Sequence, residues 1–203
     1  FWKLTTFSKT YTKSFFNQIH SMSDLPKLVI VGDGGVGKTS IITRYIKDTF
    51  TQGYEPTLED NYTTKIKVSD TETLEVEIAD TAGQEDYKPL RDKYIVEGEL
   101  FFVVYSIIDA RSLQMAENLL EQIKALKEGD PFKFILIGNK CDLTEQRSVP
   151  QIDGQNLADK FGGKFYETSA LTKQNIDEVF KTIGQLYLEK NSKSETGGCC
   201  NIA

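Results

Sequence analysis

Cysteine is scarce in this sequence and poorly spaced for cross-linking: Cys141 stands alone, and Cys199 and Cys200 are adjacent. This gives neither a disulfide framework nor a metal-ligand spacing, which favours a reducing, cytosolic compartment. Long apolar runs are also missing. The longest covers residues 100–105, whereas a membrane-spanning helix needs about 20 residues, so no crossing of a bilayer is expected. Basic charge does not dominate either. Lys and Arg number 24 against 30 Asp and Glu, a net charge of −6, and without a basic field nucleic acid is not expected as a partner. Arginine is confined to Arg44, Arg91, Arg111 and Arg147, which are widely separated. What remains is a chain of 203 residues, 39% hydrophobic and 27% charged, enough for one domain with its own core.

Residues 1–23 read differently from the rest. Phe1 comes first, and the stretch ahead of Met22 carries Lys3, Lys9 and Lys13 among many Ser and Thr, with no acidic residue. It lacks the arginines of a transit peptide and the continuous apolar stretch of a signal peptide. The expectation is a leader over 1–23, disordered or non-native with Met22 as the start, then a single domain over 24–189 and a flexible polar tail over 190–203. Within the domain, residues 27–31 form a short apolar run closed by glycine, suited to a strand buried on both faces, and a helix over 38–47 follows. Residues 63–68 and 74–79 alternate apolar and polar around the polar 69–72 segment, predicting a hairpin and so one antiparallel edge. Further strands at 100–105, 132–137 and 164–168 alternate with helices near 113–126, 155–161 and 175–189. This order predicts a three-layer α/β fold whose six-stranded sheet is parallel except for one strand, with helices on both faces.

The chemistry begins at Gly32, Asp33, Gly34, Gly35, Val36, Gly37, Lys38 and Thr39, which fit G-x-x-x-x-G-K-[ST] between a buried strand and a helix. Glycines let backbone N–H groups close around phosphate oxygens. The helix N-terminus adds its positive dipole end, Lys38 reaches the outer phosphates and Thr39 can ligate Mg²⁺. This pattern specifies a nucleotide without specifying its base. Asn139, Lys140, Cys141 and Asp142 follow the apolar strand ending at Ile137, at the sheet edge where ligands bind in open α/β folds. A carboxylate such as Asp142 accepts from both the ring N–H and the exocyclic amine of guanine, a donor pair that adenine lacks. Thr168, Ser169 and Ala170, after the last strand, offer a backbone N–H to the base carbonyl. Between these motifs come Asp80, Thr81, Ala82, Gly83 and Gln84. Here Asp80 can hold Mg²⁺ through water, Gly83 can bring its N–H to the terminal phosphate, and the Gln84 amide can orient an attacking water without deprotonating it.

These motifs, in this order, resemble the Ras family of small GTPases, and the match spans roughly residues 27–188. The resemblance implies the P-loop GTPase fold, binding of GTP or GDP with Mg²⁺, and slow hydrolysis of GTP by a monomeric switch. It identifies Tyr54, Glu55, Pro56, Thr57, Leu58, Glu59, Asp60, Asn61 and Tyr62 as a first switch and effector segment of Ras proper. Thr57 would ligate Mg²⁺ and contact the terminal phosphate, and Phe50 would stack on guanine; read alone, Phe50 would be core. A second switch would run from Asp80 to about Tyr94. Ser40, Leu143 and Leu171 join the expected nucleotide contacts on the same ground. The chain departs from the family at Gln52 and Gly53, where acidic residues usually stand beside the ribose, and at Leu171, where many relatives have Lys. Cys141, beside Asp142, reads either as a redox sensor or as a partly buried small thiol.

No arginine is placed to reach the terminal phosphate, since Arg44 lies within the expected first helix. Hydrolysis should therefore need a GTPase-activating protein that inserts one, past a Gly34 kept free of side chain. A phosphotransferase with the same loop would carry an acceptor lid of clustered arginines, which this chain lacks. A non-hydrolysing scaffold would have lost Gln84, which this chain keeps. The switch would also need a guanine-nucleotide exchange factor, and Glu55, Glu59 and Asp60 suggest effectors with a basic facing edge. Cys200, Asn201, Ile202 and Ala203 form a C-a-a-X pattern whose terminal Ala points to farnesylation. One lipid chain anchors only marginally. The charges of Glu189, Lys190, Lys193 and Glu195 cancel, so a polybasic patch is excluded, and palmitoylation of Cys199 is the expected second anchor at the cytoplasmic face of the plasma membrane.

Overall fold

The computed structural model describes residues 25–51, 59–83, 88–130 and 132–195. The chain runs β1 (Lys27–Gly32), α1 (Lys38–Lys47), β2 (Glu59–Lys67), β3 (Thr73–Thr81), α2 (Lys88–Glu97), β4 (Leu100–Ser106), α3 (Ala110–Leu126) and β5 (Lys133–Asn139). A 3₁₀ turn (Thr144–Gln146), α4 (Gln151–Phe161), β6 (Lys164–Thr168) and α5 (Ile176–Glu195) complete it. The six strands lie in the order β2-β3-β1-β4-β5-β6. Only β2 is antiparallel, paired with β3 in the register Asp60 opposite Asp80 and Tyr62 opposite Ile78.

Strand alternation divides the core in two. Leu28, Ile30, Phe102, Val104, Ile135 and Ile137 point to one face and meet Ile41 and Ile42 of α1 and Ile176, Val179 and Phe180 of α5. Val29, Val31, Val103, Tyr105 and Leu136 point to the other, under α2, α3 and α4. Full burial of one such side chain contributes about 1.5–3 kcal/mol. Tyr45 stacks flat on Phe180, with ring centroids 3.8 Å apart, locking α1 to α5. No helix among the described residues is long and apolar enough to cross a membrane.

The expected fold class and its single antiparallel edge hold, with one helix that was not expected and differences in the extent of other elements. The helix α2 was not expected within the segment assigned to a second switch. Its buried positions are Arg91, Tyr94 and Ile95, and an arginine on the inner stripe hides the apolar periodicity. Strand β2 begins at Glu59 rather than 63, because pairing with β3 carries the ladder through the polar residues Glu59, Asp60 and Asn61. Helix α3 begins at Ala110, three residues early, where the Asp109 side chain accepts from the Arg111 N–H at 3.0 Å; α4 begins at Gln151, directly after Pro150. Helix α5 runs to Glu195 rather than 189, since no Gly or Pro falls between Glu189 and Gly197.

Candidate nucleotide-binding site

The loop from β1 to α1 lies at the C-terminal edge of the sheet, next to Asp80 from β3 and Asn139 from β5. Gly37 caps α1 in the left-handed region at φ 99°, and a side chain there would run into the Asn139 amide. Lys38 folds back beneath the loop and donates to the carbonyls of Gly32 at 3.0 Å and Asp33 at 2.8 Å. It is only 7% exposed. Burial is the main cause that lowers its ammonium to about 8; Asp80 and Asp33 pull the value up and Arg91 pushes it down. Asp80 and Asp33 thus answer its charge only in part, against the cost of burial. Around it Gly32 and Val36 are buried, Asp33, Gly37, Thr39 and Ser40 half-buried, and Gly34 and Gly35 exposed. The Gly34 N–H rests on the Asp33 carboxylate at 2.6 Å.

Asp80 is fully buried. Its Oδ2 accepts from the Thr39 hydroxyl at 2.6 Å, while its Oδ1 has no hydrogen-bond partner among the described residues. Desolvation raises its carboxyl, with Thr39 and Lys38 opposing and Asp60 adding to the rise. An orphaned buried carboxylate oxygen beside a hydroxyl suits a divalent cation. Among the described residues no group of three or more His, Cys, Asp or Glu could hold a metal alone. That fits Mg²⁺, which takes one or two carboxylates and completes its shell with phosphate and water. The Thr81 hydroxyl donates to Ile30 O at 2.8 Å, and Ala82 is buried. A Cβ on Gly83 would lie 2.5 Å from Gly34 N, so this loop touches the phosphate loop with backbone alone.

At the base end, the Asn139 amide donates to Val36 O at 2.8 Å and accepts from the Thr168 hydroxyl at 3.1 Å. Lys140, left-handed at φ 66°, donates from its amine to Gly35 O at 2.8 Å. Cys141 N–H closes onto Thr168 O at 3.0 Å. The base turn is thereby bolted to the phosphate loop. Asp142 and Leu143 are half-buried at its rim, and the Asp142 carboxylate accepts no hydrogen bond from the described residues. Ser169 and Ala170 are buried, whereas Leu171 is 46% exposed beside them. Cys141 is buried, and desolvation with the charges of Glu167 and Asp142 raises its thiol, which suits the small core thiol.

Phe50 is half-buried and packs against the α1–α5 side of the core. Asp60 and Asn61 are exposed on β2, with Tyr62 half-buried. Arg44 donates to Asp48 O at 2.9 Å, closing its own helix. Tyr54, Glu55, Pro56, Thr57, Leu58, Gln84, Cys199 and Cys200, and the departures at Gln52 and Gly53, lie outside the described residues, as does the side chain of Glu59. Sequence reading missed two participants. Arg91, which it passed over as scattered, is buried and felt electrostatically at Lys38. Thr168, noted only as part of a tripeptide, orients Asn139; its signal was a hydroxyl at the end of a buried strand.

A family model described as the Ras family matches residues 27–189. Over 156 residues the chain is 44% identical to the Ras-related protein Ral-a of Drosophila melanogaster, covering 77% of each chain. Over 163 residues it is 43% identical to the Ras-like protein rasC of Dictyostelium discoideum, covering 80% of this chain and 86% of the relative. The chain belongs to the Ras family of small GTPases, switches that bind guanine nucleotides with Mg²⁺ and hydrolyse GTP.

Proposed function

We propose that the nucleotide lies with its phosphates in the loop at residues 32–39 and its guanine between residues 139–143 and 169–171. The observation that carries this reading is the pair of bonds from Asn139 to Val36 O and from Lys140 to Gly35 O, which makes one rigid mould of the two loops. In it Asp142 pairs with the two guanine donors, and the Ala170 N–H faces the base carbonyl oxygen. Phe50 and Leu171 cover the ring. Lys38, short of counter-charge, meets the outer phosphates. Thr39, Asp80 and, from the effector segment, Thr57 would hold Mg²⁺, which when bound offsets charge on the phosphate oxygens. Gln84 orients the attacking water. Gly34, without a side chain, leaves space for the arginine of a GTPase-activating protein, which Arg44 does not replace because it is committed to Asp48 O.

In the same reading an exchange factor reloads the switch. Effectors with a basic edge meet Tyr54, Glu55, Asp60 and the exposed edge of β2 in the GTP form. Farnesyl on Cys200 and palmitoyl on Cys199 hold the protein at the inner face of the plasma membrane, from which it signals. Two experiments test this. Pull-down with GTP-loaded against GDP-loaded protein should enrich effectors only with GTP, and equal capture would reject the switch segment. In fractionated cells Cys200→Ser should be soluble and Cys199→Ser should drift to internal membranes and cytosol; membrane-bound Cys200→Ser would reject the anchor.

A further inference from the structure

Beyond α1 the chain turns through Asp48, a non-glycine residue in the left-handed region at φ 52°. Arg44 lies 3.8 Å from its carboxylate. The nearer partner comes from across the site: Lys173 Nζ is 3.1 Å from Asp48 Oδ1 and 3.6 Å from Asp177 Oδ2. Lys173 is itself left-handed, at φ 68°, in the turn that follows β6. That turn is closed by Ser169 N–H donating to Gln174 O at 3.1 Å and Thr172 N–H donating to Ser169 Oγ at 3.0 Å. Asn175 donates from its side chain to Glu167 O at 2.7 Å and fixes the far side. Two residues in an uncommon backbone region thus present opposite charges to each other. The contact, first as a hydrogen bond and then as charge, holds the Asp48 carboxyl below its ordinary value and Lys173 above its own. Two residues past Asp48 stands Phe50, and three before Lys173 stands Ala170. The pair therefore spans the two segments that flank the base.

We propose that the Asp48–Lys173 ion pair is a clip that holds the exit of α1 against the base turn and so lengthens the residence of bound guanine nucleotide. Lys173 is a positioning residue; it acts through Phe50 and the base turn. The clip rests on the nucleotide placement given above. Its side chains are 32% and 69% exposed, so its strength is modest and screened by salt.

Release of a fluorescently labelled GDP from the Mg²⁺-loaded full chain into excess unlabelled GDP measures it. Lys173→Gln and Asp48→Asn should each speed release about two- to five-fold, the span of exposed ion pairs. The double variant should release no faster than either single one, and the swap of Asp48→Lys with Lys173→Asp should recover most of the residence time. Added NaCl should bring the parent toward the variants, while single-turnover GTP hydrolysis stays at the parental rate. Parental release in both single variants overturns the clip, as does an additive double variant without rescue by the swap. A parent that failed to bind labelled GDP would overturn the nucleotide placement along with it.

Discussion

At the phosphate end Lys38 and Asp80 are buried with charges that their neighbours answer only in part, whereas at the base end Asn139, Lys140 and Thr168 are occupied in hydrogen bonds and Asp142 stands open at the rim. The phosphate end is electrostatically incomplete without ligand. The base end is a finished mould. Phosphate and metal should therefore supply most of the binding free energy and much of the stability, while the base loop sets selectivity.

The largest test is removal of the ligands. Stabilisation by a nucleotide at a thousand times its Kd is about 4 kcal/mol, so stripping GDP and Mg²⁺ should lower Tm by roughly 10 °C for a domain of this size; an unchanged melting curve would contradict the incomplete phosphate end. Asn139→Ala comes next, because it cuts the tie between the ends. It leaves Val36 O and the Thr168 hydroxyl unpartnered in a buried place, at a cost of about 2–3 kcal/mol in urea unfolding. A loss under about 0.5 kcal/mol would mean that the ends are not mechanically joined.

Lys38→Met keeps the buried stem and removes the charge. Nucleotide affinity should fall about 10- to 100-fold by calorimetry, the weight of a charge-assisted hydrogen bond, while ligand-free stability shifts by less than about 1 kcal/mol. Asp142→Asn should weaken GTP roughly tenfold and shift preference to xanthosine triphosphate, whose extra carbonyl accepts from the new amide. Retained GTP preference would place selectivity elsewhere. The smallest effect concerns Cys141. Its raised thiol pKa leaves less thiolate at pH 8 than a free cysteine has, so iodoacetamide should modify it slowly in the native protein and quickly in urea. Prompt native labelling, read by mass spectrometry, would show the base end opening.

Much of this was legible because its signals are local. The phosphate loop is contiguous from Gly32 to Thr39, and glycine freedom, lysine charge and a following helix suffice to read it. The alternation of apolar runs with helical segments led to six strands and a single antiparallel edge, as observed. Helix α2 escaped because its inner stripe includes Arg91, a charged residue that is buried and so breaks the apolar periodicity.

Local sequence thus determined which chemical groups are present, in which order, and on which kind of element, because propensity, periodicity and motif spacing act over a few residues. Tertiary structure alone decided which partners those groups would find. Asn139 meets Val36 across 103 residues of chain, Lys140 meets Gly35 across 105, and Thr39 meets Asp80 across 41. Such pairings depend on strand order and register, which are chosen by burial summed over the whole sheet and leave no trace at any one position.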